Sequence, residues 1–148
     1  MNFRIVLIIA FLFIGLGVNA QVNPKKTALS KTTTAKSHRV VYDVTNADTA
    51  VQASLVRQLN NIKRGWPDAQ VEVVVHGKGL DLVLGQKSYK AAAIKDLQKK
   101  GVVFAACENT MRFRKVTTAD LLPGVITVPM GVGEIIMKQE QGWSYMKY

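Results

Sequence analysis

The chain has 148 residues, carries 20 Lys and Arg against 10 Asp and Glu for a formal charge of +10, and contains one cysteine. That length suits a single domain rather than a multidomain machine, and a lone thiol excludes a disulfide framework or an internal dithiol cycle. Two histidines beside one cysteine are too few, at the wrong spacing, for a metal site, and no cofactor is expected.

The first segment reads as a targeting signal. Arg4 is the only charge among the first twenty residues, an apolar run extends from Ile5 to Ile14, and Val18-Asn19-Ala20 forms a small-residue cleavage site. This is a secretory signal peptide over 1–20, with an uncleaved anchor as the alternative. The run is shorter than the ~20 apolar residues that span a bilayer. Export by a bacterium is therefore expected, to the periplasm or outside, with no transmembrane segment once the signal is removed. Residues 21–38 form a basic polar linker, read as disordered because its Thr, Ser and Lys cannot bury a core. Lys25, Lys26, Lys31, Lys36 and the neighbouring Arg39 bring five positive charges and no acid. The excess charge thus sits largely in a tail. A solvated linker is the reading, a tether to anionic surfaces the alternative, and nucleic acid is not an expected partner.

Residues 39–148 alternate between strand and helix patterns. Arg39 to Val44 is β-branched and aromatic, a first strand. Val51, Leu55, Leu59 and Ile62 recur at helical spacing over 48–63, with Asn46 or Asp48 as cap and Gly65-Trp66-Pro67-Asp68 as the stop. Val71 to His76 reads as a second strand, covered on both faces as in a parallel sheet. "GKGLDLVLG" reads as a glycine-rich loop with a short apolar piece. Tyr89 to Lys100 is a helix with Ala93, Ile94 and Leu97 inward, ended by Gly101. Val102 to Ala106 is the third strand, a short helix follows Cys107, Val125 to Val128 is the fourth strand, and Glu134 to Gln141 the last helix. "GWSYMKY" adds an edge strand with Trp143 and Tyr145 on one face.

This order predicts an α/β three-layer sandwich, a mostly parallel sheet of about five strands with helices on both faces. Ligands of such sheets bind at the carboxyl ends of the strands. Those ends carry Asn46, His76 and Gly77, Cys107 with Asn109 and Thr110, and Met130 with Gly131. Cys107 is the candidate nucleophile, since a helix start and nearby cations lower a thiol's pKa. The competing reading is a buried structural cysteine behaving as a small hydrophobe. His76 is read either as a hydrogen-bonded structural residue or as a base. Gly77, Gly79, Gly131 and Gly133 read as tight turns.

"GVVFAACENTM" and "TADLLPGVITVPMGVGEIIMKQEQGWSYMKY" together resemble the DsrE/DsrF-like family of small sulfur-relay proteins, in its exported single-domain form. The resemblance rests on Val75-His76-Gly77, on Cys107-Glu108-Asn109-Thr110 and on Leu121 to Val125. It implies a flavodoxin- or Rossmann-like sandwich, a homo-oligomer (trimer or hexamer), a thiol or sulfur-donor protein as partner, and sulfane sulfur held on Cys107 as a persulfide. Asn109 and Thr110 match the motif without an assigned step. A non-catalytic oligomeric module binding a small ligand or protein, with Cys107 structural, is the alternative function.

Overall fold

The computed structural model describes residues 37–148. The expected signal segment 1–20 and the linker as far as residue 36 lie outside the described residues. Among the described residues no helix is long and apolar enough to cross a membrane.

The elements in chain order are β1 (Arg39–Val44), α1 (Thr49–Gly65), β2 (Gln70–Val75), a 3₁₀ segment (Gly77–Val83), α2 (Ala91–Lys99), β3 (Val102–Cys107), α3 (Glu108–Arg114), a 3₁₀ turn (Thr118–Asp120), β4 (Ile126–Val128), α4 (Gly131–Glu140) and β5 (Ser144–Lys147). The five strands run in the order β4-β3-β2-β1-β5 and every pairing is parallel. The α/β sandwich with a parallel five-stranded sheet is therefore the fold.

The connections explain how the two faces are covered. From β1 to β4 the chain moves stepwise across the sheet in one direction, so right-handed crossovers place every connection on the same face. The step from β4 to β5 reverses direction, and among the described residues α4 falls alone on the other face. The first face holds the larger core: Tyr42, Val73 and Phe104 of the sheet pack with Leu55 and Leu59 of α1, Ile94 and Leu97 of α2, and Met111 of α3. Phe104 is 0% exposed, and burial of each such side chain stabilises by roughly 1.5–3 kcal/mol. The second face has a small core of Val41, Val74, Ala105, Val128 and Ile135, with Trp143 against it. Glu72 is buried on this face, with Lys138 of α4 2.6 Å away and the Lys138 ammonium in turn over the Trp143 ring. Val103, Ile126, Ile136 and Met137 are left exposed.

Several boundaries differ from the sequence reading, each for a local reason. Of the two cap candidates for α1 it is Asp48 that serves, its carboxylate accepting from the N–H groups of Ala50 and Val51 at 2.8 and 3.0 Å. β2 ends at Val75, one residue before His76, because Gly77 takes a positive φ of 56° and turns the chain. "GLDLV" is a 3₁₀ segment whose Leu80, Leu82 and Val83 are buried under the first face. α2 starts at Ala91 rather than Tyr89. β3 extends through Cys107, and α4 opens at Gly131 rather than Glu134. The last difference matters to the site. Gly131 and Gly133 stand in the first turn of α4, not in a turn before it. Ser37 and His38, at the end of the basic segment, also make contacts: Ser37 Oγ donates to the Asp68 carbonyl and the His38 ring stacks on Trp66.

Candidate functional site at the carboxyl ends of the strands

The second face gathers the polar side chains through strand period and register. Asp43 pairs with Val74, and Val74 with Ala105. Two residues further along β3 stands Cys107, on the same side of the sheet. The register that pairs Val75 with Ala106, carried one residue on, brings His76 beside Cys107. On the opposite flank Lys147 of β5 pairs with Asp43. Asp43, His76, Cys107, Tyr145 and Lys147 thus share one face near its carboxyl end.

Cys107 stands immediately before the first turn of α3 and is 5% exposed. The thiol is tucked beneath the first turn of α4 rather than open to solvent. The Gly131 N–H donates to Cys107 Sγ at 3.2 Å. Burial pushes the thiol's pKa up, but the Gly131 N–H, the Thr110 N–H and hydroxyl, and the Asn109 N–H outweigh it. The net result lies below the ordinary thiol value. A structural cysteine in an apolar core would be displaced the other way. Glu108, whose direction the sequence left open, turns aside: its carboxylate accepts from the Thr127 hydroxyl at 2.9 Å.

Gly131 is pressed between the two candidate residues. A methyl added there would meet Cys107 Cβ at 3.2 Å and His76 Cβ and Cδ2 at 3.4 Å. The glycine is required by this close approach, since its φ is not positive. Gly79 shows the same logic at the end of β1, where a methyl would lie 2.3 Å from the Val44 carbonyl oxygen.

His76 Nε2 is 2.8 Å from Asp43 Oδ1. Asp43 Oδ2 accepts from the Tyr145 hydroxyl and from Lys147 Nζ, each at 2.9 Å. Burial raises the Asp43 carboxyl, but hydrogen bonds from Lys147, Tyr145 and His76 hold it below the usual carboxylate value. Sequence reading missed Asp43, Tyr145 and Lys147. One signal was available: an acid inside the run Val40-Val41-Tyr42-Asp43-Val44 must find partners when the strand is buried.

The other expected residues divide into two groups. Thr110 Oγ1 accepts from the Gly77 N–H at 3.1 Å, tying α3 to the turn after β2. Gly77, Lys78, Asn109, Thr110, Phe113 and Arg114 line an adjoining cavity of about 560 Å³. Asn109 Oδ1 accepts from Arg112. Met130 is 52% exposed at the start of α4 and its side chain lies over Gly133. Asn46 stands apart from the thiol, in the loop before α1, where its side-chain oxygen accepts from the Asp48 N–H. Among the described residues no group of three metal-ligating side chains comes together.

The fold has counterparts. The model of the DsrE/DsrF-like family matches residues 37–148. The structure of MTH1491, a protein of unknown function from Methanobacterium thermoautotrophicum, is similar with a TM-score of 0.72 and 31% identity, over 75% of this chain and 99% of that one. BT1422, a conserved protein of unknown function from Bacteroides thetaiotaomicron, gives 0.63 and 18% identity over 74% and 94%. The ychN protein of E. coli gives 0.61 and 12% over 76% and 99%, a likeness of fold. No protein of curated function matches the chain.

Proposed function

The chain belongs to the DsrE/DsrF-like family, which is generally related to sulfur relay, and from that footing we propose that it is an exported sulfur carrier holding sulfane sulfur on Cys107 as a persulfide. The observation that carries the reading is the Gly131 N–H donated to Sγ at 3.2 Å, which together with Thr110 and Asn109 at the start of α3 lowers the thiol's pKa despite burial. A thiolate is the form that attacks sulfur. Because Sγ is almost covered, the donor is a small persulfide or polysulfide, or the exposed end of one carried by a partner protein. His76, Gly77, Asn109, Thr110, Met130 and Gly131 shape the approach. The signal-like residues 1–20 support placement outside the cytoplasm.

Incubation with polysulfide followed by intact-mass measurement tests this. A reducible gain of about 32 Da is expected on the native chain, as a persulfide cap on cysteine, and none on Cys107→Ser. A native protein that gains nothing refutes the carrier.

The 5% exposure of Cys107 favours one second reading, a non-catalytic binding module of the same fold with a structural cysteine. It expects Cys107→Ala to keep partner recovery unchanged and the thiol to resist alkylation. Either reading includes a homo-oligomer, trimer or hexamer, supported by exposed Val103, Ile126, Val132, Ile136 and Met137 around the single helix of the second face. Sedimentation equilibrium at a monomer mass refutes that part.

A further inference from the structure

Gly131 lies against more than the cysteine. The space that a side chain would take there is bounded by Cys107 Cβ and also by His76 Cβ and the Cδ2 edge of its ring. The first turn of α4, whose Gly131 N–H reaches Sγ at 3.2 Å, thus rests on two supports. Cys107 is fixed in β3, where it pairs with Val128. His76 follows the last residue of β2, so its ring needs anchors of its own. It has one at each end. The backbone N–H of His76 donates to the Val44 carbonyl at 3.0 Å. Its Nε2 stands 2.8 Å from Asp43 Oδ1, and a carboxylate only accepts, so the ring donates from Nε2. Asp43 is 8% exposed and costly to bury unless its own partners are fixed. The Tyr145 hydroxyl and Lys147 Nζ hold its Oδ2, each at 2.9 Å, and the Tyr148 N–H donates to its carbonyl at 2.8 Å. A continuous run of contacts leads from β5 through β1 and the residue after β2 to the helix turn over the thiol.

We propose that His76 and Asp43 are positioning residues: the imidazole is a brace that keeps the Gly131 N–H on Cys107 Sγ, and Asp43 locks that brace in place. The part that meets Gly131 is the carbon edge of the ring, so the role is one of packing, and neither residue takes a proton to or from the sulfur. It deepens the carrier reading and rests on that reading only for its use, since the brace acts on the thiolate before any sulfur arrives. A hydrogen bond to an ionised acceptor is roughly twice as strong as a neutral one, so the Gly131 N–H favours the thiolate over the thiol. With the ring removed or swung away, the first turn of α4 loses one of its two supports, drifts, and the N–H no longer points at Sγ.

Alkylation of Cys107 by iodoacetamide across pH, read beside the Gly131 amide proton shift, tests this in the native chain and three variants. His76→Ala removes the brace. Its inflection should rise on the order of one pH unit, about the worth of one hydrogen bond to a charged group, and the Gly131 amide proton should move upfield as its bond to sulfur weakens. His76→Gln keeps an N–H that reaches Asp43 and a side chain of similar length beside Gly131, without a titrating ring, and should stay close to native in both readouts. Asp43→Asn sets an amide NH₂ against one of the donors that the carboxylate accepts. It should shift the inflection in the same direction as His76→Ala, by about half as much. A merely structural role would lower Tm and leave the inflection where it is. Should His76→Ala not fold, Asp43→Asn against His76→Gln decides in the same readouts. An unchanged inflection in the folded variants among His76→Ala and Asp43→Asn overturns the brace. So does an equal rise in His76→Gln, which assigns the effect to the charge of the ring. A native protein that takes up no sulfur overturns the carrier reading, while these profiles still decide the brace.

Discussion

Gly131→Ala puts a methyl group into the narrowest part of the site. Its Cβ would stand 3.2 Å from Cys107 Cβ and 3.4 Å from two atoms of His76, whereas carbon atoms rest at about 3.5–4.0 Å. Both neighbouring Cβ atoms are bonded directly to backbone, so they cannot swing away as a long side-chain end would. The first turn of α4 must rise by a few tenths of an ångström instead. Overpacking of this kind costs about 1–3 kcal/mol, and the better helix propensity of Ala returns up to about 1 kcal/mol. The net cost is roughly 1–2 kcal/mol, a fall in Tm on the order of 5–10 °C for a domain of about 110 residues. The same movement draws the Gly131 N–H away from Sγ, now at 3.2 Å, and weakens a donor that favours the thiolate. Scanning calorimetry reads the first effect, and the pH dependence of iodoacetamide alkylation reads the second. Its inflection should move to higher pH than in the native chain. A variant with native Tm and a native alkylation profile refutes the account of Gly131 as wedge and donor.

Further outcomes follow from neighbouring contacts. In the native chain the alkylation inflection of Cys107 should lie below the ~8.5 of a free thiol, and an inflection above that value contradicts the hydrogen-bond balance around Sγ. Gly79→Ala places a carbon 2.3 Å from the Val44 carbonyl oxygen, a backbone clash that no rotamer relieves. The loss should exceed about 3 kcal/mol, and a soluble variant with native circular dichroism and Tm counts against it. The Asp43 carboxyl is raised by burial but lowered further by Lys147, Tyr145 and His76. Its folded pKa is depressed, so the stability it lends is complete above the ordinary value of about 3.9 and is lost as pH falls through the folded value. Acid titration of Tm should therefore be steeper in the native chain than in Asp43→Asn, and parallel curves contradict this. Phe104→Ala, at a 0% exposed position of the larger core, should cost about 3–5 kcal/mol in urea denaturation.

How far the sequence could be read depended on whether the signal was local. Valine-rich β1 and β2, the apolar face of α1 and the order of strands and helices are all periodic, and each appears in the structure within a few residues. The boundaries that moved did so where tertiary contacts outweighed propensity. Gly131-Val132-Gly133 is a poor helical sequence, yet it forms the first turn of α4 because only a glycine fits between Cys107 and His76. "GLDLV" forms a buried 3₁₀ segment because the first face of the sheet accepts its leucines.

Sequence alone determined the α/β class, the parallel sheet and the strand ends that carry His76 and Cys107, because hydrophobic period and turn residues act over a few positions. It also singled out Cys107 and His76, together with Asn46, Asn109 and Thr110, among the polar residues. Only the tertiary structure decided that the thiol is covered, that Gly131 holds it, and that Asp43 joins His76 to Tyr145 and Lys147. Those contacts link residues up to 104 positions apart. Strand order and register create them, and neither is written in any local stretch of chain.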